Sequence, residues 1–261
     1  MTADWSFVAE DADAYQAMPS SAVREIRSDV VLIHRSTGGA WSNLATRVRF
    51  SASAVDASIA DTRHWFGSHH GREYRWLIGP SATPSRIVDM LLERGAVRDG
   101  AEPVLTAMIL DREPPSVTGI VVREVATFAD FEQMEAIREA VFGGQEHGPD
   151  ARAAAHRARW AEFGETNGAA AFLAEQDGNP VAFGVMYPTK PGPLLLAGGV
   201  TLPEARGRGA YRALVHARWH AARRAGTQAL VTQAQAASRP ILERLGFRAT
   251  GAIEVLVDAS T

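Results

Sequence analysis

Leu194–Leu214 reads LLLAGGVTLPEARGRGAYRAL, an apolar strand-like run that passes through an Arg/Gly turn into the start of a helix. Gly207 and Gly209 allow positive φ without a Cβ clash, so successive N–H groups can converge on one anion. The first N–H groups of the helix have no intrahelical partner, and the helix dipole puts partial positive charge in the same place. Arg206 and Arg208 add full charges. The stretch therefore predicts a site for a phosphorylated cofactor. It is not the dinucleotide fingerprint Gly-x-Gly-x-x-Gly, because Gly209 is followed by Ala210, Tyr211 and Arg212.

The same segment resembles the cofactor-binding motif of the GNAT superfamily of N-acetyltransferases. That motif places Arg/Gln, two residues, Gly, one residue and Gly/Ala after a strand ending Val-x-Val/Leu. Here it is Val200-Thr201-Leu202 followed by Arg206, Gly209 and Tyr211, with Tyr211 in place of the expected small residue. Strand-like Gln228–Thr232 and the run Ser238–Phe247, ending Leu245-Gly246-Phe247, supply a second hallmark in the family's order and spacing.

Composition fits a globular enzyme. The chain has 261 residues, 46% of them hydrophobic, enough for two domains of ordinary size. No apolar run approaches the roughly 18 residues of a membrane span, and acidic Met1–Glu10 does not read as a signal peptide. The absence of cysteine excludes disulfides, thiolate metal sites and a cysteine nucleophile. These features give the expectation of a cytoplasmic, bacterial-type protein with no membrane partner.

Net charge is only −3, yet Lys190–Arg248 holds ten basic residues against Glu204 and Glu243. This region should draw polyanions. Without an aromatic or helix-turn-helix recognition signature, nucleic acid is not the expected partner. Arg208, Arg212, His216, His220 and Arg224 recur every four residues and share one helix face. His216 and His220 have the spacing of a metal pair, but no Glu or third ligand accompanies them, so they read as surface residues and no metal is expected.

Pro114–Gly119 reads as a linker between two halves. The C-terminal half should run strand 120–125, helix 128–141, Gly-rich loop 143–149 and helix 150–163. Strands 169–175, 180–187 and 194–201 come next, the first two joined at Asp177-Gly178-Asn179. Helix 207–225, strand 228–233, helix 238–245 and strand 252–257 complete the expected order. The N-terminal half echoes that ending: Tyr74–Ile78, Ser85–Asp89, Glu93-Arg94-Gly95 and Met108–Asp111 parallel its last strand, helix and strand. It has no Arg-Gly-x-Gly turn, and Gly38-Gly39 precedes Trp41 rather than a helix. The fold class expected is α/β, two GNAT-like mixed-sheet domains in tandem: a degenerate one at 1–113 and a cofactor-binding one at 119–261. Arg35, His64, His69 and His70 read as surface or interface residues. Monomer or weak homodimer is the expected state.

The resemblance implies acetyl-CoA as cosubstrate and an amine of a small molecule or peptide as acceptor. Its pyrophosphate would lie at Arg206, Gly207, Arg208, Gly209, Ala210 and Tyr211. Its pantetheine arm would lie along Val200, Thr201 and Leu202, with the Val200 N–H facing the thioester carbonyl. Many members carry an acidic Tyr four residues before the Gly of the LGF element, where this chain has Leu242. Leu194–Val200 and Gln228–Gln235 contain no carboxylate. The remaining acid–base candidates are Glu146, His147 and Tyr187. Loss of that Tyr also suits a non-catalytic acyl-CoA-binding or regulatory protein.

Overall fold

The computed structural model describes residues 4–35, 41–143, 148–190 and 192–260. The chain opens with two short helices, α1 (Ser6–Glu10) and α2 (Ala12–Tyr15). Strands β1 (Ala22–Ile26), β2 (Val31–Arg35) and β3 (Asn43–Thr46) come next, then α3 (Val55–Ser68), β4 (Glu73–Ile78), α4 (Ile87–Glu93), β5 (Val97–Arg98) and β6 (Val104–Leu110). After the proline-containing connection come β7 (Val121–Glu124), α5 (Phe128–Phe142), α6 (Pro149–Glu165), β8 (Ala170–Gln176), β9 (Asn179–Pro188) and β10 (Leu194–Thr201). A 3-10 turn at Pro203–Ala205 leads to α7 (Ala210–Arg224), β11 (Leu230–Ala234), α8 (Arg239–Arg244) and β12 (Arg248–Ala259).

Local chemistry explains the boundaries. Thr127 and Asp130 form a reciprocal capping box at the start of α5. Hydrogen bonds from Thr127, Arg123 and nearby backbone N–H groups lower the Asp130 carboxyl to about 2, so it is a fixed anion at neutral pH. Asp177 (φ 51) and Gly178 (φ 78) are both left-handed, the conformation a two-residue hairpin needs between β8 and β9. The helix expected from residue 207 starts at Ala210, because Gly207 (φ 77) and Gly209 (φ 96) adopt positive φ and lie outside it.

Among the described residues all twelve strands belong to one mixed sheet, whose main path is β1-β2-β3-β4-β12-β6-β11-β10-β9-β8-β7, with β5 paired to β12. Each half is an antiparallel meander that crosses over a helix to a parallel strand: β1-β2-β3, α3, β4 in one and β7 to β10, α7, β11 in the other. The last strands are exchanged. β6, which ends the first half, pairs with β11 of the second, and β12, which ends the chain, pairs with β4 of the first. β6 and β12 also pair with each other, so the sheet crosses the centre without an edge.

Alternating side chains divide the interior by face. On one face α3 and α4 cover the first half, with Phe66, Trp76 and Leu256 buried, while α7 and α8 cover the second, with Leu214, Leu230 and Leu242 buried. On the other face α1 and α2 lie over the centre, against Leu77, Ile109, Val231 and Val255. α5 covers the outer strands there, packing Phe131 and Met134 against Leu173 and Phe183, with Trp160 and Phe163 of α6 at its margin.

Candidate cofactor and acceptor site

β10 and β11 are in register only at Leu194↔Leu230 and Leu195↔Val231. Beyond that point Thr232 Oγ1 still donates to the Leu196 carbonyl (3.0 Å), but the strands part. β10 also bulges: two residues, Gly198 and Gly199, stand opposite Gly184 of β9 between the pairs Ala197↔Val185 and Val200↔Phe183. Gly198 takes φ 56, a conformation glycine adopts without strain. A cavity of about 710 Å³ opens here, lined on β10 by Leu195 to Val200 and reaching through the sheet to Tyr211, Arg218 and Leu242.

The parting strands lead to the Arg/Gly turn. Gly209 caps α7 with φ 96, and no side-chain oxygen accepts from the first N–H groups of the helix. They remain available to an anion. Arg206 donates to the Thr201 carbonyl (3.3 Å), while Arg208 and Arg212 have no acidic partner among the described residues. A pyrophosphate suits a concave turn of free N–H groups surrounded by guanidinium charge that no carboxylate neutralises.

Backbone parity corrects one expectation. The Leu202 N–H donates to Val181 of β9 (2.9 Å) in the same register as Val200↔Phe183. Because N–H groups alternate along a strand, the Val200 N–H also faces β9, and among Val200 to Leu202 the donor turned toward the parting is that of Thr201.

Tyr211 is accommodated where a small residue was expected because Gly199 has no side chain: a Cβ there would collide with the Tyr211 ring. Burial raises its phenol above the ordinary value, opposed by the nearby Arg218 charge. Arg218 is 1% exposed, and it was not legible in sequence because an arginine on a helix otherwise rich in arginine and histidine looks like one more solvated side chain. Its guanidinium lies under Gly184, donating to the carbonyls of Leu214 (3.1 Å) and Val185 (3.0 Å) and reaching that of Ala197 (3.5 Å). Burial without a carboxylate partner lowers its pKa to about 10, with Tyr211 acting in the opposite direction. It ties α7 to the edge of the bulge.

On the opposite face the cavity wall combines both halves. Asp13, Gln16 and Arg35 come from the first half, and Glu135, Arg138 and Tyr187 from the second. Glu135 is fully buried, held by Arg159 (2.6 Å) and Arg138 (3.2 Å). Burial raises the Asp13 carboxyl, against the opposing effect of Arg35, and Gln16 donates to it (2.7 Å). Burial also raises the Tyr187 phenol, opposed by Arg35 and Arg138. Arg35, read from the sequence as a surface or interface residue, is therefore a wall residue of the cavity. Asp13 and Glu135 were not legible, since each looks like an ordinary helix carboxylate until the helices dock. Glu146, His147 and Gly38-Gly39 lie outside the described residues.

His216 and His220, read as having no third partner, are joined by Glu113, the residue just before the linker, 3.7 and 3.2 Å from their Nε2 atoms. The partner was invisible in sequence because it lies a hundred residues away.

Residues 131–247 match the sequence profile of the Acetyltransferase (GNAT) family. No functionally curated protein matches the chain significantly. Among solved structures it is similar to a GCN5-related N-acetyltransferase from Kribbella flavida, with a TM-score of 0.69 and 17% identity over 100% of this chain and 98% of that one. It is also similar to a tandem GNAT protein from the clavulanic acid biosynthesis pathway (TM-score 0.65, 16% identity, 100% of this chain and 89% of that). A GCN5-related N-acetyltransferase from Sphaerobacter thermophilus aligns with a TM-score of 0.60 and 15% identity, over 90% and 82% of the two chains. Residues 131–247 thus carry the sequence pattern of the GNAT family, in a chain whose whole length is similar in fold to a tandem GNAT protein.

Proposed function

We propose that the protein transfers an acetyl group from acetyl-CoA to an amine of a small molecule or peptide, with one cofactor site, in the second half. The observation that carries this reading is the parting of β10 and β11, which joins the Arg206–Tyr211 turn to a cavity walled by both halves. Acetyl-CoA bound there supplies an acyl group activated as a thioester. Arg206, Arg208, Gly209 and the first N–H groups of α7 hold its phosphates, Val200 to Leu202 flank its arm, and the Thr201 N–H is the strand donor for its polar groups. The second half is taken as residues 119–261 and the first as 1–113, a degenerate repeat that contributes acceptor-side residues.

An amine acceptor is mostly protonated near neutrality and has to lose a proton before it attacks. Glu135 is engaged by two guanidinium groups, so both its oxygens already have ion-pair partners. Asp13 is the better proton acceptor, because burial makes its carboxylate more basic. Tyr211, kept protonated by burial, is the group available to donate to the departing sulfur, in place of the tyrosine that Leu242 replaces. Tyr187 orients the acceptor.

Release of CoA thiol, followed with a thiol-reactive chromophore across a panel of amines, tests the reading. Turnover with at least one amine is expected. Asp13→Asn should lower kcat/KM about 100-fold while leaving acetyl-CoA affinity unchanged. Buried, apolar Leu242 favours a second reading, a non-catalytic acyl-CoA-binding or regulatory protein. Tight acetyl-CoA binding with no turnover on any amine would select it.

A further inference from the structure

We propose that Glu113, His216 and His220 form a site for one divalent ion of the zinc class, which bolts the connection between the two halves to the cofactor helix α7. The two histidines, one turn apart on the outer face of α7, bring their Nε2 atoms to 3.2 Å. Glu113 Oε1 lies 3.2 Å from the His220 nitrogen and 3.7 Å from that of His216. Three ligand atoms on a tetrahedral ion with bonds of about 2.1 Å stand about 3.4 Å apart, so this triangle has the dimensions of three vertices of such a site. Two imidazole nitrogens and one carboxylate oxygen suit a borderline ion such as Zn²⁺. Mg²⁺ and Ca²⁺ call for oxygen throughout. Glu113 is exposed and His220 half-buried, which leaves the fourth position open to water.

The location gives the ion a mechanical consequence. Residues 111–119 form neither helix nor strand, yet they touch α7 at two levels. Glu113 meets it at His216 and His220, and Val117 packs at its first turn, its Cγ1 3.0 Å from the position of a Cβ on Gly209. An ion at the upper contact fixes the connection beside the Arg/Gly turn at the lower one. Without it, the upper contact consists only of half-exposed polar side chains, a weak restraint.

The test uses the full chain, tag removed and stripped with a chelator, titrated with Zn²⁺ in competition with a chromophoric chelator. One ion per chain is expected, with a rise in Tm and slower proteolysis within 111–119. His216→Gln and Glu113→Ala should each weaken binding 10- to 100-fold or more and abolish the Tm rise, while Tm in excess chelator stays at the parent value. His64→Ala, which removes an exposed histidine elsewhere, should change nothing. Co²⁺ in the same site should give the intense visible bands of tetrahedral coordination. No saturable binding, binding that survives both ligand substitutions, or a purely octahedral Co²⁺ spectrum would overturn the proposal.

Discussion

β3 and β4 run parallel for two residue pairs, Leu44↔Arg75 and Ala45↔Trp76, as β10 and β11 do at Leu194↔Leu230 and Leu195↔Val231. Beyond these pairs the two halves diverge. In the first half the chain past β3 is re-closed: Arg49 bridges to Thr83, Thr83 N–H donates to the Val48 carbonyl (3.2 Å), and Thr83 Oγ1 donates to that of Phe50 (3.1 Å). Phe50 is buried edge-on against Trp76, and Arg49 is paired to Asp11 (2.8 Å) and Glu10 (3.5 Å). In the second half the segment that follows the parallel pairs is Gly198-Gly199 and the Arg/Gly turn, with no carboxylate on Arg208 or Arg212 among the described residues, and a cavity opens beside it. One topology thus gives a filled joint or a binding cleft, according to whether an aromatic ring or glycine backbone occupies the parting.

The sharpest way to break this comparison is at Gly209. Gly209→Asp places a carboxylate among the free N–H groups and should weaken acetyl-CoA binding by more than about 100-fold in titration calorimetry. Gly209→Ala measures the backbone strain alone, since the residue has φ 96. A folded Gly209→Asp variant of unchanged affinity would remove the Arg/Gly turn from the site. Native mass spectrometry at saturating acetyl-CoA should show one cofactor per chain, and two would mean that the first half is not closed.

Strand exchange sets the next expectation. A fragment 119–261 loses β6, exposing the edge of β11 and separating β12 from the rest of the sheet. It should be insoluble or lack cooperative unfolding, and a soluble fragment with native cofactor affinity would show that the halves are independent.

Phe50→Ala tests the filled joint. It should cost about 3–5 kcal/mol in denaturant unfolding and create no second cofactor site. A second equivalent of bound acetyl-CoA would mean that the ring alone blocks the first half.

The smallest effect concerns Asp11, the partner of Arg49. Burial raises its carboxyl to about 6 from 3.8, so the folded state favours the protonated form. Its stabilising contribution is full below the unfolded value and is lost as pH rises through about 6. Asp11→Asn cannot ionise, so relative to the parent it should gain on the order of 2 kcal/mol between pH 4 and pH 7. A difference that stays flat with pH would show that Arg49 neutralises the carboxylate fully.

Much of the second half was legible because its signals are local. The Asp177-Gly178 turn and the glycines before α7 act within a few residues, and the four-residue recurrence of Arg208, Arg212, His216, His220 and Arg224 marked one face of α7. The cofactor turn is of the same kind, since the free N–H groups, the helix dipole and the arginines all lie within one short segment. The echo between Met108–Asp111 and the end of the chain was legible too, but not its consequence: the strand matched in each half completes the other's sheet. Which strand pairs with which depends on contacts between distant residues, and periodicity does not encode them. For the same reason Asp13, Arg35 and Glu135 become cavity walls only when α1 and α2 dock over the centre, and Glu113 reaches His220 only when the linker lies on α7. The sequence by itself determined the Arg/Gly turn and its free backbone donors, proposed to hold the phosphates, because that chemistry resides in consecutive backbone groups. Only the tertiary structure decided the acceptor end, because burial and proximity, which set the basicity of a carboxylate, arise from packing residues far apart in the chain.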